Sequence, residues 1–283
     1  MGNGNFSYDR ALYRSSTNGY NTKSTSEIFK ARDISNAMNP KGIVLRESRD
    51  SAEHPNSVAI ILALDVTGSM GIVPHFLVKE GFPNIMKAIM EKGMKDPQIL
   101  FLGIGDHFVD SSPLQVGQFE SSDELLDKWL TDVYLEGGGG GNGGESYLLA
   151  WYFAGRHTAI DCFEKRKQKG YLFTVGDEPV HKSIAKNAVE HIMGDGEYGN
   201  YTAQELLANA QAKYNVYHIH IRETSTGRRP ETIQGWKEIM GNNLIVIDNH
   251  EQVAKAIADA ITNTTGKVIN EGKAQKKDEV DML

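Results

Sequence analysis

Residues 58–70 read VAIILALDVTGSM. Seven apolar residues in succession, Val58 to Leu64, without polar alternation are the pattern of a strand buried on both faces. Asp65 stands where such a strand leaves the sheet, and Thr67 and Ser69 follow with Gly68 between them. Side chains two apart at a strand end share one side, and glycine lets the chain curl so that the third side chain joins them. One carboxylate and two hydroxyls then converge. Oxygen donors without His or Cys select a hard cation, magnesium, manganese or calcium, over zinc or copper. The bland reading of the same residues is that Thr67 and Ser69 cap the following helix.

The flanking sequence places this strand in an α/β domain. A helix is expected over about Pro74 to Met94, a strand over Ile99 to Gly103, a short strand near Leu114 to Phe119 and a helix near Asp123 to Leu130. After a glycine-rich loop come a helix (Ser146 to Lys165), a strand (Tyr171 to Val175) and helical stretches to about Lys213. Strands Val216 to Ile221 and Leu244 to Ile247 and a helix over Glu251 to Thr262 close the pattern. Apolar strands alternating with helices indicate a mostly parallel sheet covered on both faces, and ligands of such sheets bind beyond the carboxyl ends of the strands. Residues 1–56 are rich in Ser, Asn, Gly and Arg and lack a sustained period, so the domain is expected over 57–265. Tyr8, Leu12, Tyr13, Ile28, Phe29 and Ile34 are too many large apolar groups for a disordered leader, so this extension should pack in part. The mixed-charge segment 266–283 should be a mobile tail.

The 283 residues are 40% hydrophobic, enough for a sizeable core. A formal charge of −7 and no long Lys/Arg block argue against a nucleic-acid partner. The single cysteine, Cys162, excludes an intramolecular disulfide and any cysteine-based zinc cluster, which suits a reducing compartment. No apolar segment approaches the length of a membrane span, and MGNGNFSYDR has no signal-peptide pattern. A cytoplasmic protein is expected.

The string DVTGSM resembles the metal-ion-dependent adhesion site (MIDAS) of the von Willebrand factor A (vWA) family, whose first motif is Asp-x-Ser-x-Ser. Thr67 replaces the first Ser and keeps its hydroxyl. Three further strings, GIGDHF, LEGGGGGNGGESYLLA and LFTVGDEPVH, are similar in order to landmarks of the bacterial and alpha-kinase-associated branch of that family. There the loops read roughly Arg-Asp-His, Gly-Gly-Gly-Asp-x-Pro-Glu and Asp-x-Pro-x-His. Asp106 and His107 match the first, Asn142 and Glu145 the second, and Asp177, Pro179 and His181 the third. The resemblance spans about Ser57 to Asn263. It implies a Rossmann-like three-layer α/β/α fold with one short antiparallel strand, and a magnesium ion (or manganese or calcium) held by Asp65, Thr67, Ser69, Asn142 and Asp177. Asn142 stands where that branch has Asp and the wider family Thr, so Glu145 or Ser146 are the alternatives at that place. Asp106, His107, Glu145 and His181 would stand behind the ligands, the histidines holding carboxylates.

Asp65 and Asp177 bring two negative charges, enough for one divalent ion, and leave a coordination position for a partner protein's Glu or Asp. The positive end of the helix after Ser69 favours that anion. No nucleophile or general base is evident, so an interaction module, an adaptor or complex subunit, is expected rather than an enzyme. Two alternatives stay open. DVTGS also resembles the Asp-Lys-Thr-Gly-Thr of haloacid dehalogenases, a magnesium-dependent phosphotransfer superfamily, with Asp65 as nucleophile and Lys165, Lys167 or Lys169 on phosphate. A metal-independent structural subunit is the other. The glycine run also satisfies Gly-x-Gly-x-x-Gly, but it comes late in the chain rather than after the first strand, as a dinucleotide site requires. His218 and His220, two apart on a strand, read as a core or rim pair.

Overall fold

The computed structural model describes residues 4–68, 70–137 and 143–263. The extension carries helices α1 (Tyr8–Thr17) and α2 (Thr25–Ile28) and strand β1 (Arg46–Ser48); β2 (Ser57–Asp65) then opens the main sheet. A helical segment follows as α3 (Ile72–Phe76), a π-turn (Leu77–Gly81) and α4 (Phe82–Glu91), and leads to β3 (Asp96–Ile104) and β4 (Leu114–Val116). Next come α5 (Asp123–Thr131), α6 (Leu148–Arg156), β5 (Thr158–Ile160), α7 (Asp161–Glu164) and β6 (Gly170–Gly176). The remainder is β7 (Ser183–Ile184), α8 (Lys186–Met193), β8 (Tyr201–Thr202), α9 (Ala203–Lys213), β9 (Tyr214–Ile221), α10 (Pro230–Met240), β10 (Leu244–Ile247) and α11 (residues 253–263).

Six strands form the central sheet in the order β10-β9-β6-β2-β3-β4, all parallel except β4, which pairs antiparallel to β3. This is a three-layer α/β/α arrangement. β2 alternates its side chains between two cores: Ala59, Ile61 and Ala63 meet α6, α9 and α10, whereas Val58, Ile60, Leu62 and Leu64 meet α3, α4, α5 and α11. All nine β2 residues are buried, and each large one contributes about 1.5–3 kcal/mol by leaving water. The extension joins the second core through Tyr20, Ile28 and Phe29.

Several elements differ from the expectations. The helix expected over Ser146 to Lys165 is interrupted by β5, which pairs in parallel with β1 of the extension; Thr158 Oγ1 bonds back to the carbonyl of Ala154 at 2.6 Å and helps end α6. Helix α10 has no counterpart in the sequence reading. Its apolar positions, Ile233, Trp236, Ile239 and Met240, are spaced for one face, but Gly235 interrupts them. Residues 1–56, read as lacking a period, contain the ten-residue helix α1. The tail 266–283 lies outside the described residues.

Candidate functional site

The chain crosses from β2 to β3 on one side and later to β6 on the other, so the carboxyl ends of β2 and β6 flank a topological switch point. Asp65 ends β2 there and is 1% exposed. Its Oδ1 accepts from the Thr67 amide at 2.9 Å and the Thr67 hydroxyl at 2.6 Å, and its Oδ2 accepts from the Tyr147 hydroxyl at 2.7 Å. Because the Thr67 hydroxyl donates its hydrogen bond to the carboxylate, its lone pairs are left for a cation. Asp177 follows β6 directly and is equally buried, with its Oδ2 accepting from the Thr224 hydroxyl in the loop after β9. Ser69 and Asn142 lie outside the described residues, as does most of the glycine run.

Gly176 makes this packing possible. A Cβ there would stand 1.9 Å from the Tyr147 hydroxyl and 2.9 Å from Asp65 Oδ2.

Glu145 enters from the loop before α6. Its amide donates to Pro179 O at 2.8 Å and its carbonyl accepts from the His181 amide at 3.1 Å, which ties it to the loop after β6. The carboxyl is buried, and Oε2 has no hydrogen-bond partner. Burial above all, then the neighbouring Asp65, Asp106, Asp110 and Glu178, holds it far above the usual carboxylate range. Burial likewise lifts Asp65, against the hydrogen bonds from Thr67 and Tyr147 and with added repulsion from Asp177. A buried set of carboxylates and hydroxyls with an orphaned carboxylate oxygen is a donor set that a divalent ion fits: the ion would supply the positive charge that the acidic surroundings lack.

On the β3 side, Asp106 and His107 follow the strand, and His181 arrives from the loop after β6. His181 Nε2 lies 2.9 Å from Asp106 Oδ1. His107 turns instead to Ser146, whose Oγ lies 2.7 Å from Nδ1 and accepts from the His107 amide at 2.9 Å. Burial, then the adjacent His181, lowers His107 to about 4 and keeps it neutral. His218 and His220 are fully buried on one face of β9. His218 stacks on Trp236 with centroids 3.4 Å apart, and His220 Nε2 contacts Gly227 O at 2.8 Å. They brace Tyr147 and the Thr224 loop from behind.

Beside Thr67 and Gly68 runs an open groove of about 640 Å³, walled on its far side by Phe29, Lys30 and Arg32 of the extension. Among the described residues no helix is long and apolar enough to cross a membrane.

No family model and no curated protein matches the sequence. Solved structures do. The pilus adhesin SpaC of Lactobacillus rhamnosus GG, in its open conformation, matches at 12% identity and a TM-score of 0.45 over 79% of this chain, which spans only 31% of the adhesin's length. A von Willebrand factor type A protein from Catenulispora acidiphila matches at 12% identity and 0.39, covering 81% of this chain and 50% of its own. The vWF domain of the type V pili tip protein Mfa5 from Porphyromonas gingivalis matches at 13% and 0.43, over 76% and 96%. The solved structures that resemble this chain include vWA domains.

The lysines considered for phosphate lie at the other end of the sheet from Asp65 and Asp177. Lys169 immediately precedes β6 and bonds to Gln211 O, Lys165 pairs with Asp50 and Asp161, and Lys167 reaches Glu164 O. Asp65 and Asp177 sit at the opposite strand ends, roughly 20 Å away for a seven-residue strand. Tyr147, Gly176 and Thr224 escaped the sequence reading. Tyr147 opens an apolar helix and reads as core, and Thr224 lies in a loop whose approach to Asp177 depends on the pairing of β6 with β9.

Proposed function

We propose that the chain is a metal-dependent protein-interaction module of the vWA type, a cytoplasmic adaptor or complex subunit rather than an enzyme. Magnesium, or manganese or calcium in its place, is held by Asp65, Thr67 and Asp177, with Ser69 and Asn142 completing the donor set. A partner's Glu or Asp takes the remaining coordination position, and Lys30 and Arg32 across the groove favour an acidic segment around it. The observation that carries this reading is the buried carboxylate cluster at the switch point, where Glu145 keeps an unpartnered oxygen and feels mainly other acids.

Calorimetric titration of Mn2+ and Mg2+ into wild type and Asp65→Ala tests the ligand set, and equal binding by the two would remove it. Co-purification with and without chelator tests the interaction. Ser69→Ala should lose chelator-sensitive partners while its melting temperature stays within the range of ordinary surface changes, about 0.5 kcal/mol in stability. A variant that keeps every partner in chelator would assign the contact to another surface.

A further inference from the structure

Asp106, His107 and His181 bring one carboxylate and two imidazoles together, with ligand atoms all within 4.8 Å of one another. We propose that they form a second metal site, chemically distinct from the one at Asp65, that takes a borderline transition ion of the zinc class. The donor set decides the class. Two imidazole nitrogens and a carboxylate oxygen suit Zn2+, Fe2+, Co2+ or Ni2+, whereas magnesium and calcium prefer oxygen alone.

The surroundings hold the three groups as ligands are held. The contact of His107 Nδ1 with Ser146 Oγ, 2.7 Å, fixes the ring in the manner of the second partner that ligating imidazoles carry. Asp106 is fully buried; its amide donates to Asp110 Oδ2 at 2.7 Å, and its Oδ1 accepts from the Phe108 amide at 3.0 Å. His181 is anchored through its amide on Glu145 O. Its ring lies against Gly144, where a Cβ would stand 3.0 Å from Cε1 and Nδ1, so only glycine lets the imidazole settle there undisturbed. The 2.9 Å separation of His181 Nε2 from Asp106 Oδ1 is close to the spacing of two ligands on one ion.

The site is reached from solvent. Both histidines are half-buried, and Phe108, 66% exposed, packs on both rings with centroids 4.0 and 4.9 Å away. Three protein donors leave a tetrahedral ion one position for water or an outside ligand. This site shares no ligand with Asp65, Thr67 and Asp177, so either assignment can fail alone.

The test is titration of metal-free full-length protein with Co2+, read by its visible ligand-field absorption, followed by displacement with Zn2+. Wild type should take up one Co2+ that excess Mg2+ does not displace. His181→Ala and His107→Gln should each weaken it more than about tenfold, and Asp65→Asn should leave it unchanged. Circular dichroism melting identifies a variant that fails to fold, and the two histidine variants come from different loops, so one folded variant suffices. Unaltered Co2+ uptake in either folded histidine variant, loss of uptake in Asp65→Asn, or no uptake by wild type would each overturn the proposal.

Discussion

The Tyr147 hydroxyl donates to Asp65 Oδ2 at 2.7 Å inside a buried site. A hydrogen bond to a buried carboxylate favours its ionised form by about 1.5–3 kcal/mol. Tyr147→Phe should therefore raise the proton affinity of Asp65 and weaken Mn2+ binding near neutral pH by about tenfold, with recovery at higher pH. Calorimetry at two pH values checks this, and a loss that does not depend on pH would refute it. Glu145 gives a second outcome. Its pKa is lifted in the folded chain by burial and by Asp65 and Asp106, so the fold keeps a proton that the unfolded chain releases. Stability of the ion-free protein should then fall as pH rises from the ordinary carboxylate range toward the folded pKa. Thermal melting between about pH 5 and pH 8 should show this decline, and Glu145→Gln should flatten it; an unchanged slope would count against the buried charge. The placement of Asp65 and Asp177 at the ends of β2 and β6 was legible in the sequence because a strand end is a local pattern. Tyr147 was not, because its role depends on Gly176 leaving room across the sheet.

At the scale of the element, the helical segment after β2 carries a π-turn, with the Phe82 amide bonding to Leu77 O. Pro83 has no N–H to offer Lys79 O four residues earlier, and the Ser15 hydroxyl of α1 donates to that carbonyl at 2.8 Å. Ser15→Ala removes the bond and should cost about 1 kcal/mol, seen as a lower melting temperature without loss of helix content. No change in melting would mean that water serves the carbonyl equally well. The long helix was legible from its apolar spacing, but its π-turn was not, since one wider turn barely alters that spacing. The break in the helix expected over Ser146 to Lys165 was hidden for another reason. β5 exists because β1 lies beside it, and β1 is more than a hundred residues earlier.

On the scale of the whole molecule, the extension behaves as part of the fold. Arg10 and Arg14 of α1 both pair with Asp123 at the start of α5, at 2.9 and 2.7 Å, and the Asp123 side chain is 3% exposed. Burial raises the Asp123 pKa, but the two arginines outweigh it and hold the carboxyl below its ordinary range. The clamp therefore contributes fully above the unfolded carboxylate pKa and is lost as pH falls through the lower folded value. Acid titration followed by circular dichroism should show wild type losing stability relative to Asp123→Asn in that window, and parallel curves would discount the clamp. Deleting residues 1–56 should go further: it removes Tyr20, Ile28 and Phe29 from the second core and exposes the apolar surface they cover, so the truncated chain should aggregate where the full chain should elute as one monodisperse peak in size-exclusion chromatography. A soluble truncated chain with an unchanged melting temperature would show that the extension is dispensable. The sequence pointed to partial packing through residues such as Ile28 and Phe29, but not to where they pack, because contacts to a distant core leave no period in the segment that makes them.

An ion held at the buried acidic site beside the unpartnered Glu145 oxygen would also set the lifetime of the protein. An ion that binds only the folded chain stabilises it by mass action, by about 2.7 kcal/mol when the free ion stands at a hundred times its dissociation constant. Chains without the ion open more often, and proteases cut what opens. Turnover of the protein would then follow the supply of the ion, with scarcity clearing idle copies before they compete for partners.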